Sequence, residues 1–512
     1  MRAKHQITAD YGTDKVEHRR KPLAPEDQRF YDAAVTNSLP VLIQGGMGVG
    51  VSGWQLARAV SEAGQLGVVS GTALDLVLTR RLQIGDPGGH MRRALAAYPI
   101  AEVAERIIDR YFIAGGKPSD ARFVGISMKR EDPTRNLEDL LVASNFVEVY
   151  LAKEGHTGEV GINYLEKVQA PTLPSLYGAM LAGVDYVLMG AGIPRMIPVV
   201  LDRLAEGLSV EYKLDVKGAG PDGGFTAHFD PDEAMYGAIA PVKRPLFLAI
   251  VSSHVLATML ARKVDVPVDG FIVEGSTAGG HNAPPRGKRK LNEAGEPIYG
   301  DRDVADLEAF RELGLPFWLA GGYSYPDRVR EALDAGAAGV QIGTPFAYCE
   351  ESGMEADSKR HVLDLCRDGE ARVFTDPQAS PSGFPFKVVE IEGTLSEPDV
   401  YEERDRVPCE LGYLRSAHEG DDGGVVWRCA AEPVDLFVRK GGAVEDTVGS
   451  KCLCNALLAN VGLGQIQRSG AHEQMLITSG DEVADVARFL PAGAETYFAA
   501  DVIRQVLPAG IH

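Results

Sequence analysis

The sequence predicts an α/β chain, a (β/α)8 barrel with a helical insertion and a C-terminal α+β extension. Three observations carry that prediction. Short segments that are apolar throughout recur along the chain, each bounded by glycine or proline. Such segments read as strands buried on both faces, as in parallel sheets. Helix-like stretches lie between several of them, which is the strand–helix alternation of α/β folds. The glycine-rich motifs fall at the C-terminal ends of these strands, where the catalytic loops of a closed TIM barrel sit.

Residues 1–37 read as an irregular N-terminal arm, and 38–365 as the barrel. The first strand is PVLIQ (40–44), followed by the loop GGMGVGVSG, the helix-like WQLARAVSEAG (54–64) and the second strand LGVVSG (66–71). Later strand candidates are RFVGISM (122–128), FVEVYLA (146–152), VGINYLE (160–166), DYVLMG (185–190), PLFLAIV (245–251), DGFIVEG (269–275), PFWLAGG (316–322) and GVQIGTPF (339–346). SLYGAMLAG, SSHVLATMLARK and PDRVREALDAG read as helices between them. The count favours a closed barrel over an open sheet, with one or two of the strands accessory.

Three segments depart from the minimal pattern. Residues 76–120 read as inserted helices, 205–243 as a hairpin excursion, and 282–303 as a loop rich in proline, glycine and charge. From residue 366 to 512 the character changes to that of an extension with its own strands (FKVVEIEGTL, VVWRCA), four cysteines and a final helix (TYFAADVIRQVL).

Composition narrows the function. The 512 residues carry a net charge of −20, whereas binding to a phosphate backbone needs a basic face. Nucleic acid and anionic membrane surfaces are therefore poor partners, and a small-molecule substrate is the expected one. No run approaches the apolar length of a membrane span, and the N-terminus lacks the apolar core of a signal peptide. The expected location is cytoplasmic, where six cysteines are thiols or metal ligands. A homo-oligomer is compatible with these features.

Four motifs carry chemistry. Gly45, Gly46 and Gly48 follow a strand and precede a helix, so the backbone there can approach a ligand closely, or simply turn. The loop fits a dinucleotide fingerprint only loosely. The second strand leads to Ser70, Gly71 and Thr72 rather than to the acidic residue that fingerprint expects. LAGGYS (319–324) and VQIGTPF (340–346) stand one strand–helix unit apart, where the last two loops of a barrel commonly bind phosphate. Gly321, Gly322, Gly343 and Thr344 suit a phosphate-containing cofactor. In VEGSTAGGH, His281 follows a buried-type strand on the same face. It reads either as a turn residue or as a base able to take a proton near neutral pH. No second ligand stands at metal spacing from it.

The order QGGMGVGVSG, EGSTAGGH, LAGGYS, VQIGTPF resembles the nitronate monooxygenase (2-nitropropane dioxygenase) family over roughly residues 38–355. That FMN-dependent barrel is shared with one class of enoyl-acyl-carrier-protein reductase and with the enoyl reductase components of polyunsaturated fatty acid synthases. The resemblance implies that Gly45, Gly46 and Met47 lie against the flavin, with Gly280 and Gln341 beside the cofactor. It implies that Gly321, Gly322, Gly343 and Thr344 hold the FMN phosphate and that His281 is the base. Glu274 stands where the family usually has a glutamine near the flavin; a carboxylate there would disfavour an anionic reduced flavin unless it is protonated or turned away. The loop NAPPRGKRK also departs from the family. Arg286, Lys288, Arg289 and Lys290 either close over an anionic substrate or form a solvated surface loop.

The implied activity is oxidation of alkyl nitronates or nitroalkanes with O2 to carbonyl compounds and nitrite. The alternatives are an NAD(P)H-dependent enoyl-thioester reductase on the same barrel and a flavin-binding accessory protein. Cys409, Cys429, Cys452 and Cys454 are a candidate structural zinc set, or else reduced cysteines buried as small apolar residues.

Overall fold

The computed structural model describes residues 39–220, 224–238 and 241–510. The expected N-terminal arm, residues 1–37, lies outside them. Eight parallel strands close a barrel: β1 (Leu42–Gln44), β2 (Leu66–Ser70), β3 (Val160–Leu165), β4 (Tyr186–Gly190), β5 (Leu246–Val251), β6 (Gly270–Glu274), β7 (Phe317–Ala320) and β8 (Gly339–Ile342). Chain order is spatial order, and β8 returns to β1 through Ile43 opposite Gln341 and Gln44 opposite Ile342. This is the (β/α)8 TIM barrel the sequence predicts.

The barrel strands are short and almost wholly buried because helices cover one face and packed side chains fill the other. Trp318 is fully buried, and its Nε1–H donates to the Pro40 carbonyl at 2.7 Å, which satisfies the ring's one polar atom. Each fully buried Leu, Ile or Val side chain is worth about 1.5–3 kcal/mol relative to exposure. The covering helices include α1 (Trp54–Glu62), α2 (Leu74–Gln83), α3 (His90–Ala96), α4 (Ala101–Tyr111), α5 (Arg135–Lys153) and α6 (Thr172–Leu181). The helical reading of 76–120 corresponds to α2–α4.

Two strand expectations are corrected. FVEVYLA is the C-terminal part of α5, a helix whose residues from Leu140 to Val149 are all buried, packed among α1, α2 and α6. A helix buried on every side presents the same apolar run as a buried strand. RFVGISM is extended but pairs with no strand. Side-chain amides take its backbone hydrogen bonds instead: Phe123 N–H donates to Gln465 Oε1 at 2.9 Å and Val124 N–H to Gln83 Oε1 at 2.6 Å.

Within the expected excursion at 205–243, Val210–Lys213 pairs antiparallel with Thr226–Phe229 and shows the alternating burial of a half-exposed hairpin. The 282–303 loop carries only one isolated bridge, Leu291 to Pro297, and a single turn at Asp301–Asp303. Beyond β8, β9 (Val373–Asp376) pairs antiparallel with β10 (Phe386–Val389), and Ser416–Glu419 pairs with both Val425–Arg428 and Val216–Lys217. Residues 40–512 form one compact unit. A buried ion pair ties three segments of it together. Lys129 Nζ lies 2.7 Å from Asp75 Oδ2 on α2, with the two side chains 1% and 0% exposed, and the Tyr413 hydroxyl donates to the same carboxylate. No described helix is long and apolar enough to cross a membrane.

Candidate active site

The C-terminal ends of the strands surround a cavity of about 200 Å³. The cofactor and base candidates of the barrel line it: Gly45, Gly46 and Met47 after β1, Glu274 at the end of β6, Gly280 and His281 beyond it, Gly321 and Gly322 after β7, and Gln341, Gly343 and Thr344 at β8; Arg286, Lys288, Arg289 and Lys290 do not. The glycines are there because the backbone closes tightly. A Cβ on Gly46 would sit 2.5 Å from the Asn163 Cβ. Gly321 has φ +91°, and a Cβ there would meet Thr277 Oγ1 at 2.8 Å.

Two polar atoms in this lining have no partner among the described residues. Asn163 Oδ1 and Gln341 Oε1 are buried without a hydrogen bond. A buried acceptor left unpaired costs about 1–3 kcal/mol, so the cavity is chemically incomplete without a ligand that offers N–H or O–H donors. A flavin ring fits that donor set, and the glycine backbone at 321, 322 and 343 leaves room for a phosphate. One feature opposes an anion at that end. The Glu482 carboxylate lines the cavity, held by the backbone N–H of Ser324 at 3.2 Å and its hydroxyl at 2.8 Å. Arg488 donates to the same hydroxyl at 2.8 Å, which offsets part of that charge.

His281 is fixed by the chain beyond the barrel. It bridges antiparallel to Phe386 on β10, and Lys387 N–H donates to the Gly280 carbonyl at 3.0 Å. Its ring meets the Phe386 ring edge-on at 4.8 Å between centroids. His281 Nε2 is 2.7 Å from Ser380 Oγ, which is itself 2.8 Å from Ser382 Oγ. Either tautomer satisfies that contact, so Nδ1 or Nε2 can carry the lone pair. Burial lowers the imidazole to about 4 from its usual 6.5, so it is neutral at physiological pH.

Glu274 reaches the same space from the end of β6. No hydrogen bond or ion pair engages its carboxyl among the described residues. Burial alone raises it to about 8, so the group is a neutral carboxylic acid near pH 7. That shift weighs against the charge conflict expected from the sequence. The two residues also mark a boundary. Glu274, His281, Ala191 and Ile250 line both this cavity and a second one of about 560 Å³.

Sequence reasoning missed the residues that close the mouth. Tyr413, Leu414, Cys454 and Leu457 line the cavity, as do Thr478 to Gly480. Gly480 N–H donates to Thr344 Oγ1 at 2.9 Å, and Gly280 N–H to Thr478 Oγ1 at 3.0 Å. The sequence signal was weak: GLGQ and TSGD in the C-terminal region follow no barrel strand. Asn163 was legible in principle, since it is the polar residue interrupting the apolar β3.

The structure lends the zinc expectation no support. Among the described residues no group of three or more His, Cys, Asp or Glu side chains is arranged to hold a metal ion. Cys409, Cys429, Cys452 and Cys454 are free thiols. Burial pushes the thiols of Cys429, Cys452 and Cys454 up, and neighbouring cysteines add to that shift. Cys454 faces the active-site cavity instead.

The nitronate monooxygenase family model matches residues 243–373, which include Glu274, His281 and both glycine loops of β7 and β8. The chain is 37% identical over 92 residues to a nitronate monooxygenase of Pseudomonas aeruginosa, a stretch covering 17% of this chain and 23% of that protein. It is 30% identical over 145 residues to the (3aS,4S,5R,7aS)-5-hydroxy-7a-methyl-1-oxo-octahydro-1H-indene-4-carboxyl-CoA dehydrogenase of Mycobacterium tuberculosis, covering 28% of this chain and 36% of that one. The matched stretches thus span well under half the length of these relatives. Among solved structures, FabK from Thermotoga maritima superposes with a TM-score of 0.45 at 15% identity, over 93% of this chain and 94% of that one. The resemblance read from the glycine motifs is to the same family whose model matches here.

Proposed function

We propose that this chain is an FMN-dependent oxidoreductase of the nitronate monooxygenase type, converting alkyl nitronates with O2 to carbonyl compounds and nitrite. The observation that carries the reading is the family match over 243–373, the stretch that supplies Glu274, His281, Gly321, Gly322, Gly343 and Thr344 to one cavity. Asn163 and Gln341 would meet donors of the flavin ring, and the loops after β7 and β8 would hold its phosphate. When bound, FMN supplies the one-electron oxidation of the nitronate, after which each nitronate gains one oxygen atom from O2.

The protein's own residues handle the proton and the charge. His281 is neutral and can accept a proton from the carbon of a nitroalkane. Its basicity is low, however, because an imidazolium in this buried position is disfavoured. A preformed nitronate, already deprotonated, is thus the better substrate. Glu274, kept protonated by burial, presents a donor rather than a negative charge to an anionic substrate. The loops that cover the mouth limit water access.

A second reading, reduction of an enoyl thioester with NAD(P)H, draws on the M. tuberculosis relative, whose name carries a CoA thioester. Nitrite release from ethyl nitronate without NADPH, set against NADPH consumption with an enoyl thioester, separates the two.

A further inference from the structure

The second cavity is not used by the chemistry described so far. Its volume, about 560 Å³, lies within the roughly 300–1,000 Å³ range that encloses drug-sized ligands. It meets the first cavity at Glu274 and His281, so a molecule inside it presents one end to the proton-handling residues. Leu214, Leu256 and Phe384 give it one apolar wall, while Glu166, Gln169 and Asp215 line it beside Lys167. Ile193 and Met196 add apolar surface that is 52% and 37% exposed.

Cations stand at the rim. Arg195 and Lys213 line the cavity and are exposed, and neither makes an ion pair or side-chain hydrogen bond among the described residues. Lys167 is different, since its charge is shared with Asp215 at 3.4 Å and Glu166 at 3.9 Å. The basic loop after His281 folds back to the same place, where Arg286 donates to the carbonyl of the lining residue Ser252 at 3.1 Å. In a chain of net charge −20, Arg195 and Lys213 thus stand as two cations without an ion pair beside that apolar wall, with the Glu166 and Asp215 carboxylates turned to Lys167.

We propose that this second cavity is the substrate chamber, and that it selects an elongated amphipathic anion: the reacting end at His281 and Glu274, an apolar chain along Leu256 and Phe384, and an oxyanion terminus at Arg195, Lys213 and Arg286. The inference rests on the proposed function only for which end reacts; the binding chemistry stands apart from it. Carboxylate and phosphate termini share that chemistry.

Calorimetric titration of decanoate, decyl phosphate and decanol into the full chain tests the chamber without turnover. Both anions bind wild type, and the stronger of the two identifies the terminus. The Arg195→Ala/Lys213→Ala variant loses at least about tenfold affinity for both anions through its lost charge-assisted contacts and keeps its affinity for decanol. Ile193→Glu, which sets a negative charge on the apolar wall, weakens both anions more than decanol. Equal binding of decanol and decanoate, or anion affinity unchanged in both variants, overturns the proposal. Nitrite release from ethyl nitronate is read in parallel on wild type. Its absence from wild type, with selective anion binding intact, counts against the oxidase reading and not against the chamber.

Discussion

His281 Nε2 lies 2.7 Å from Ser380 Oγ, so the histidine that lines the active-site cavity is oriented by a residue from beyond the last barrel strand. Ser380 thereby acts as a positioning residue. Ser380→Ala is expected to lower kcat for nitroethane by up to about tenfold, the worth of one net hydrogen bond, while flavin content and KM stay near wild type. Kinetics on flavin-loaded protein check this, and Ser380→Thr, which keeps the hydroxyl, is expected to restore most of the rate.

Glu274 and His281 set a pH window. His281 becomes a neutral acceptor as pH rises through about 4, and Glu274 loses its proton as pH rises through about 8. The rate is therefore expected to be bell-shaped, with limbs near those values. Glu274→Gln removes the alkaline limb. Stability follows with its own sign. The folded Glu274 titrates above its usual 4.5, so its stabilising contribution is full below about 4.5 and is lost as pH rises through about 8. Thermal melts are expected to show Glu274→Gln gaining on wild type at alkaline pH relative to its standing at pH 6.

The Lys129–Asp75 pair is expected to matter for stability and not for chemistry. Lys129→Met strands a buried carboxylate and should cost about 3–5 kcal/mol, read from denaturant unfolding. Lys129→Met with Asp75→Leu removes both charges and should recover most of that loss, with the Tyr413 hydroxyl left as the remaining unpaired group.

Gly321→Ala tests the close approach at β7. With φ at +91° and a new Cβ 2.8 Å from Thr277 Oγ1, the change should cost about 1–3 kcal/mol. FMN affinity, measured by fluorescence on release of the cofactor, is expected to fall while the barrel's circular dichroism is retained.

The barrel was legible because its strands are apolar on both faces and end in glycine, as PLFLAIV and PFWLAGG do. FVEVYLA was not, since a helix buried all round carries no polar stripe to betray its period. Gly45, Gly321 and Gly343 were legible because each directly follows a strand, and His281 because it lies in the glycine-bearing loop after one. Ser380, Thr478 and Gly480 were not. They reach the site through long-range packing of an irregular segment, and no local pattern reports that. The protonation of Glu274 was likewise invisible, because it comes from burial and not from a neighbouring residue.

The central claim is most directly tested by nitrite release and O2 uptake from ethyl nitronate with FMN-loaded protein and no NADPH. The account predicts nitrite formed in step with nitronate consumed, faster from the preformed nitronate than from neutral nitroethane. No nitrite, with NADPH oxidised only when an enoyl thioester is supplied, would contradict it.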